Sequence, residues 1–163
     1  MFRVTAHYAG NANPSRERLE PVETGDVSRR LKIAMETAQA QAADRRTRDA
    51  RATAAYDLFL ENVASPVARQ LVNALKAEGL AFTLFTPAGG LRLASDRNRH
   101  DFIELALERG AADLQVVGHI SHARGSRTVA ETLPLKDGFG PDALTDDEVL
   151  SFLLRALRPW LER

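Results

Sequence analysis

The residues of this chain best suited to do chemistry gather in the phrase "GHISHARGSRT", residues 118–128, which holds two of the four histidines and two arginines. His119 and His122 raise the question of a metal site, since a His-x-x-His pair on a helix brings two imidazoles to one face. The local pattern is not helical. Apolar residues dominate "LQVVGHIS" with the period of a strand, and strand residues an odd number apart point to opposite faces. The two imidazoles therefore do not share one ion, and neither a metal nor another cofactor is expected.

Strand register gives each histidine its own surroundings. Folding "DFIELALE" against "LQVVGHIS" around "GAAD", with Arg109 opposite Leu114, sets Leu107 by Val116, Leu105 by Gly118 and Ile103 by Ile120 on one apolar face. The other face then carries Phe102 by Ser121, Glu104 by His119 and Ala106 by Val117. A slip of one residue would set Ile103 against His119, so the first register is preferred. His119 becomes a surface histidine facing Glu104. His122 falls beside Asp101, with His100 next in sequence, at an end of the sheet near Arg97, Arg99, Arg124 and Arg127.

A carboxylate beside an imidazole can tune a general base, and clustered guanidiniums can hold a phosphate or carboxylate. Arg97, Arg99, His100, Asp101, His122, Arg124 and Arg127 are accordingly the candidate anion-binding residues. The plainer alternative is a rim of polar turns, with "ARGS" a tight connection and Gly125 available for a positive φ. No catalytic residue is assigned, because no serine sits in a nucleophile elbow and no glycine-rich phosphate loop precedes a helix.

Two further hairpins complete the sheet. "LAFTLF" and "GLRLAS", with Thr86 opposite Leu91, pair Leu84 with Leu93 on one face and Phe85 with Arg92 on the other. "RTVAETLP", returned across "ARGS", places Val129 by Ile120, Glu131 by Gly118 and Leu133 by Val116. Glu131 on the core side suits an edge strand open to water and ended by Pro134. The face bearing Phe85, Phe102 and Val117 beside Arg92 is more apolar than water should meet, and with Phe59 it forms the expected interaction surface.

Helices must hold this sheet. Residues 26–64 contain neither Gly nor Pro and are rich in Ala, Arg, Gln and Glu, which predicts one long helix with a thin early stripe (Leu31, Ala34, Met35, Ala38) and a firm later one (Ala52, Ala55, Tyr56, Phe59, Val63). At "SPVARQLVNALKAEG" the helix kinks near Pro66 or a second begins, with Ser65 as N-cap, Gly79 just beyond the end, and Val67, Leu71, Ala74 and Leu75 buried. "LTDDEVLSFLLRALRPWLER" opens with Thr145 and Glu148 in capping-box spacing, and Val149, Phe152, Leu153, Ala156, Leu157 and Trp160 make its inner face. The expected fold class is α+β: a long N-terminal helix, an antiparallel meander of four or five strands, and a C-terminal helix. Its parts are a disordered or loosely attached segment over 1–25, the Ala/Arg-rich helix over 26–64 and a compact α+β domain over 65–163.

Composition limits the function classes. The formal charge is zero, so no global field draws the chain to nucleic acid or an anionic membrane. Cysteine is absent, which removes disulfides and thiolate chemistry and suits a cytoplasmic location. No run reaches the roughly 18 apolar residues of a membrane span, and the first ten residues lack a signal-like apolar core. One stretch is basic: residues 29–51 hold seven basic residues, including Arg29, Arg30, Arg45, Arg46, Arg48 and Arg51, against three acidic ones. Laid along phosphates they would bind nucleic acid in a salt-dependent way. The expectation is a non-enzymatic protein-interaction or adaptor module that forms a homodimer. The alternatives are nucleic-acid binding through the Arg-rich helix 29–51, or small-anion binding or catalysis at the Asp101–His122 rim.

Overall fold

The computed structural model describes residues 23–162, so most of the segment expected to be loose, residues 1–22, lies outside it. The chain divides into two compact units, Met1–Ala40 and Gln41–Arg163. In the first, the described residues are helical from Thr24 onward, and Val27, Leu31, Ile33 and Met35 are each at least half exposed. This is the start of α1, Thr24–Phe59, a helix expected from its lack of Gly and Pro after Gly25.

The second unit holds the core. After α1 the helix continues through a π-helical turn, Leu60–Ala64, into α2, Ser65–Ala77. Ser65 is not an N-cap: its neighbour Ala64 keeps helical angles, no side chain caps the junction, and the chain passes Pro66 without a new start. A π turn winds in one residue more than an α turn, which rotates the helical residues beyond it. The buried face of α2 is therefore Ala68, Leu71, Val72 and Leu75, with Val67 partly buried, while Ala74 is exposed. The helix ends in a Schellman motif, Gly79 at φ 80° with Leu80 N–H donating to the Leu75 carbonyl at 2.8 Å and Gly79 N–H to that of Lys76 at 3.1 Å.

Five strands follow in one antiparallel meander, β1 Phe82–Phe85, β2 Leu91–Ser95, β3 Phe102–Arg109, β4 Leu114–Arg124 and β5 Arg127–Pro134, ordered as in sequence. The β1–β2 and β3–β4 registers are those expected, Leu84 by Leu93 and Ile103 by Ile120 among them. The β4–β5 register differs. Ile120 faces Glu131 and Gly118 faces Leu133, two residues away from expectation, because the turn is only Gly125–Ser126 with Gly125 at φ 63°. β5 is an edge strand, and Glu131 is exposed there.

One face of the sheet is dry. Leu91, Leu93, Ile103, Leu105, Val116 and Ile120 are buried beneath α2 and the C-terminal helices, α3 Asp146–Ala156 and α4 Arg158–Leu161. Thr145 and Glu148 close the expected capping box, and all six expected inner residues, Val149 to Trp160, are buried. Gly118 is there for space: a Cβ would stand 2.3 Å from Phe152 Cζ. The later stripe of α1 joins this core, with Tyr56 and Phe59 buried and stacked at 6.1 Å. The Tyr56 hydroxyl donates to the Leu105 carbonyl at 3.0 Å. Burial, helped by the charges of Glu104 and Asp57, pushes that phenol well above its ordinary pKa.

Candidate functional site

Three regions singled out by the sequence, and one that was not, account for the chemistry the surface offers. The first is the rim at the Asp101 end of the sheet. Asp101 is 2% exposed and serves as a buried acceptor: its Oδ2 takes the Trp160 indole N–H at 2.8 Å, and its Oδ1 takes the Ala123 amide at 2.7 Å and the Asn98 side-chain amide at 3.3 Å. Those donors come from α4, β4 and the β2–β3 loop, so the carboxylate ties three elements together. It is not open to a ligand.

The remaining rim residues separate. Arg97 reaches the Gly79 carbonyl at 3.4 Å, and the Arg99 Nε donates to His100 Nε2 at 3.2 Å. His122 turns toward the helices, its ring edge-on to Trp160 at 5.8 Å between centroids. With Arg124 it lines a cleft completed by Arg158, Pro159 and Glu162. Arg158 was not anticipated; it comes from a distant part of the sequence, and only the packing of α4 against β4 brings it here.

The second region is the open face of the sheet. Here Arg92 lies 3.7 Å from the centre of the Phe102 ring and pairs with Glu104 at 3.4 Å. Glu104 is thus engaged by Arg92, and His119, although level with it in register, turns to other partners: Nε2 meets Glu108 at 2.8 Å and Nδ1 meets the Thr132 hydroxyl at 2.9 Å. A neutral ring donating from Nε2 and accepting at Nδ1 satisfies both. This polar layer roofs the apolar residues, leaving Val117 4% exposed and Phe102 half-buried, whereas Phe85 is 52% exposed. Phe59, expected at the interaction surface, is buried in the core on the other side. Its face of α1 is already used.

The third region is the basic helix. Arg29 pairs with Asp26 at 2.5 Å in the first unit. In the second, Arg48 pairs with Asp113 at 2.9 Å, and Asp49 with Arg109. At about 100° per residue, Arg45, Arg46, Arg48 and Arg51 spread over roughly 220° of the helix circumference with Asp44 and Asp49 among them. They form no single stripe to follow a line of phosphates.

The unforeseen region is a groove of about 430 Å³ between α1, the β3–β4 turn and the loop before α3, lined among others by Ala52, Ala55, Ala111, Leu114 and Phe139. Its signal in the sequence was the run of small residues in "GAAD" and "KDGFGPD", which reads as turns. Among the described residues, no group of three or more His, Cys, Asp or Glu is placed to hold a metal, and no helix is long and apolar enough to cross a membrane. Comparison of the chain with protein-family models, curated proteins and solved structures gives no match.

Proposed function

We propose that this chain is a non-enzymatic, cytoplasmic interaction module that forms a homodimer through the first half of α1. The observation that carries the reading is the row of apolar side chains left in water there. Val27, Leu31 and Met35 are 50%, 58% and 53% exposed. Val27, Leu31, Ala34 and Ala38 are spaced four, three and four residues apart, the alternation of a coiled-coil seam, and the alanines allow close approach of a second helix. A helix whose apolar residues are this exposed gains little from burial, and a helix without such packing is marginal in water because nucleation is costly and tertiary packing supplies most helical stability.

The open face of the sheet is the weaker candidate, since its own polar residues cover Phe102 and Val117 and leave Phe85 as its one largely exposed aromatic among the described residues. A second copy of α1 supplies the missing cover with the commonest closed symmetry. Light scattering across low to high micromolar protein tests the reading. The expected result is a dimer mass that falls to monomer in the Leu31→Glu, Met35→Glu double variant, with a matching loss of helical signal in circular dichroism. A monomer throughout, or a dimer indifferent to the double substitution, overturns it.

A further inference from the structure

Where β4 turns into β5, the protein concentrates positive charge that it does not neutralise. The register sets Arg124 directly opposite Arg127, fixed there by the two-residue turn, and like charges on facing hairpin positions repel. Arg158, the first residue of α4, lines the same cleft of about 670 Å³ as Arg124 and His122. None of these three arginines forms an ion pair among the described residues. Glu162 is the sole acid in the lining.

His122 adds a directed donor. Even-numbered residues of β4 face the helices, as the burial of Val116 and Ile120 and the contact of His122 with Trp160 require, so His122 and Arg124 share the side on which α4 lies. The Nδ1 atom of His122 is enclosed and has no partner. A proton on Nδ1 would be a buried donor without an acceptor, so the tautomer protonated at Nε2 suits this enclosure better. Nε2 is then the ring nitrogen left to serve the cleft that His122 lines.

We propose that this cleft binds the phosphate group of a small molecule, held by the guanidinium forks of Arg124 and Arg158 with Arg127 adding field and His122 Nε2–H donating to a third oxygen. Arg124 and Arg158 in the lining, with Arg127 opposite Arg124 in register, against Glu162 as the one lining acid, make a positive cleft that suits a phosphate monoester, carrying about two negative charges at neutral pH, better than a monocarboxylate. Binding also relieves the repulsion between Arg124 and Arg127. The cleft is large enough for an organic group beyond the phosphate, which would lie along Pro159.

Calorimetric titration and thermal melting of the full chain, with inorganic phosphate and with glycerol 3-phosphate against sodium chloride of equal ionic strength, test the site. Both phosphates should raise the melting midpoint by mass action where chloride does not. Arg124→Gln and Arg158→Gln should each weaken binding by at least about tenfold, the loss of one charge-assisted contact. Glu162→Gln should strengthen it. Tighter binding of the ester assigns the site to an organic phosphate, and tighter binding of inorganic phosphate to the free ion; either supports the proposal. A response that chloride reproduces, or one unchanged in both arginine variants, overturns it. All three substitutions are at exposed positions, so the fold is retained and a null result is informative.

Discussion

Replacing Asp101 by asparagine should cost stability in spite of the near-identical shape. Both carboxylate oxygens are acceptors, Oδ2 for Trp160 Nε1 and Oδ1 for the Ala123 amide and Asn98. An asparagine has one oxygen, so whichever way its amide turns, an NH₂ group faces an N–H. One hydrogen bond to a charged acceptor, about 1.5–3 kcal/mol, is lost and one buried donor is left without a partner, so the net expectation is roughly 2–4 kcal/mol. With a urea m-value of about 2 kcal/mol per molar, the unfolding midpoint falls by roughly 1–2 M. Trp160 is the single tryptophan and reports the transition by fluorescence. The reasoning has a sharper form in a double-mutant cycle followed by circular dichroism. In a Trp160→Phe background the asparagine can turn its NH₂ toward the vacated side, and the cost of Asp101→Asn should drop by at least about 1 kcal/mol. Equal costs in the two backgrounds, or a variant as stable as the parent, would refute the bracing role of this carboxylate.

Two other perturbations probe the core. Gly118→Ala drives a methyl into the Phe152 ring and should destabilise by about 1–3 kcal/mol in chemical denaturation, with most of the loss recovered when Phe152 is also made Leu; additivity of the two would contradict the steric account. Tyr56 has a folded pKa raised above its unfolded value, so its contribution is fully present below the unfolded pKa of about 10 and is lost as pH rises above that value; melting temperature should decline in that window, and less so in Tyr56→Phe.

The sheet was legible where side-chain alternation alone decides pairing. Ile103 and Leu105 have one register on β4 that keeps them dry, and it is the one adopted. β5 was harder because its residues are exposed on both faces, so hydrophobicity could not distinguish a two-residue turn from a four-residue one. The interior of the rim was hidden for a different reason. Nothing local ties Trp160 to Asp101 or Arg158 to Arg124; 59 positions separate the first pair, and the meeting depends on how α4 settles after the end of α3 at Leu157. His119 showed its face but not its partner, since Glu104, the nearest acid by register, was drawn off by Arg92. For α2, the expected face of Val67, Leu71, Ala74 and Leu75, read from its own residues alone, was shifted: Ala68 and Val72 are buried and Ala74 is exposed, because the register of the helix is set by the π turn before it.

That π turn makes the helix sensitive to length as well as to composition. Continued as a plain α-helix, the stripe around Tyr56 and Phe59 and the stripe around Ala68, Leu71 and Leu75 would point roughly 120° apart, and one surplus residue takes back about 100° of it. The surplus works like a leap day, keeping two calendars in step that would otherwise drift. Adding one more residue between Leu60 and Ala64, taken up as α-helix, would leave every side chain's chemistry intact and still set the two halves of one core facing different ways, whereas deleting one and closing the turn to plain α would keep them together. At this spot the count of residues carries structural information that no single residue identity does.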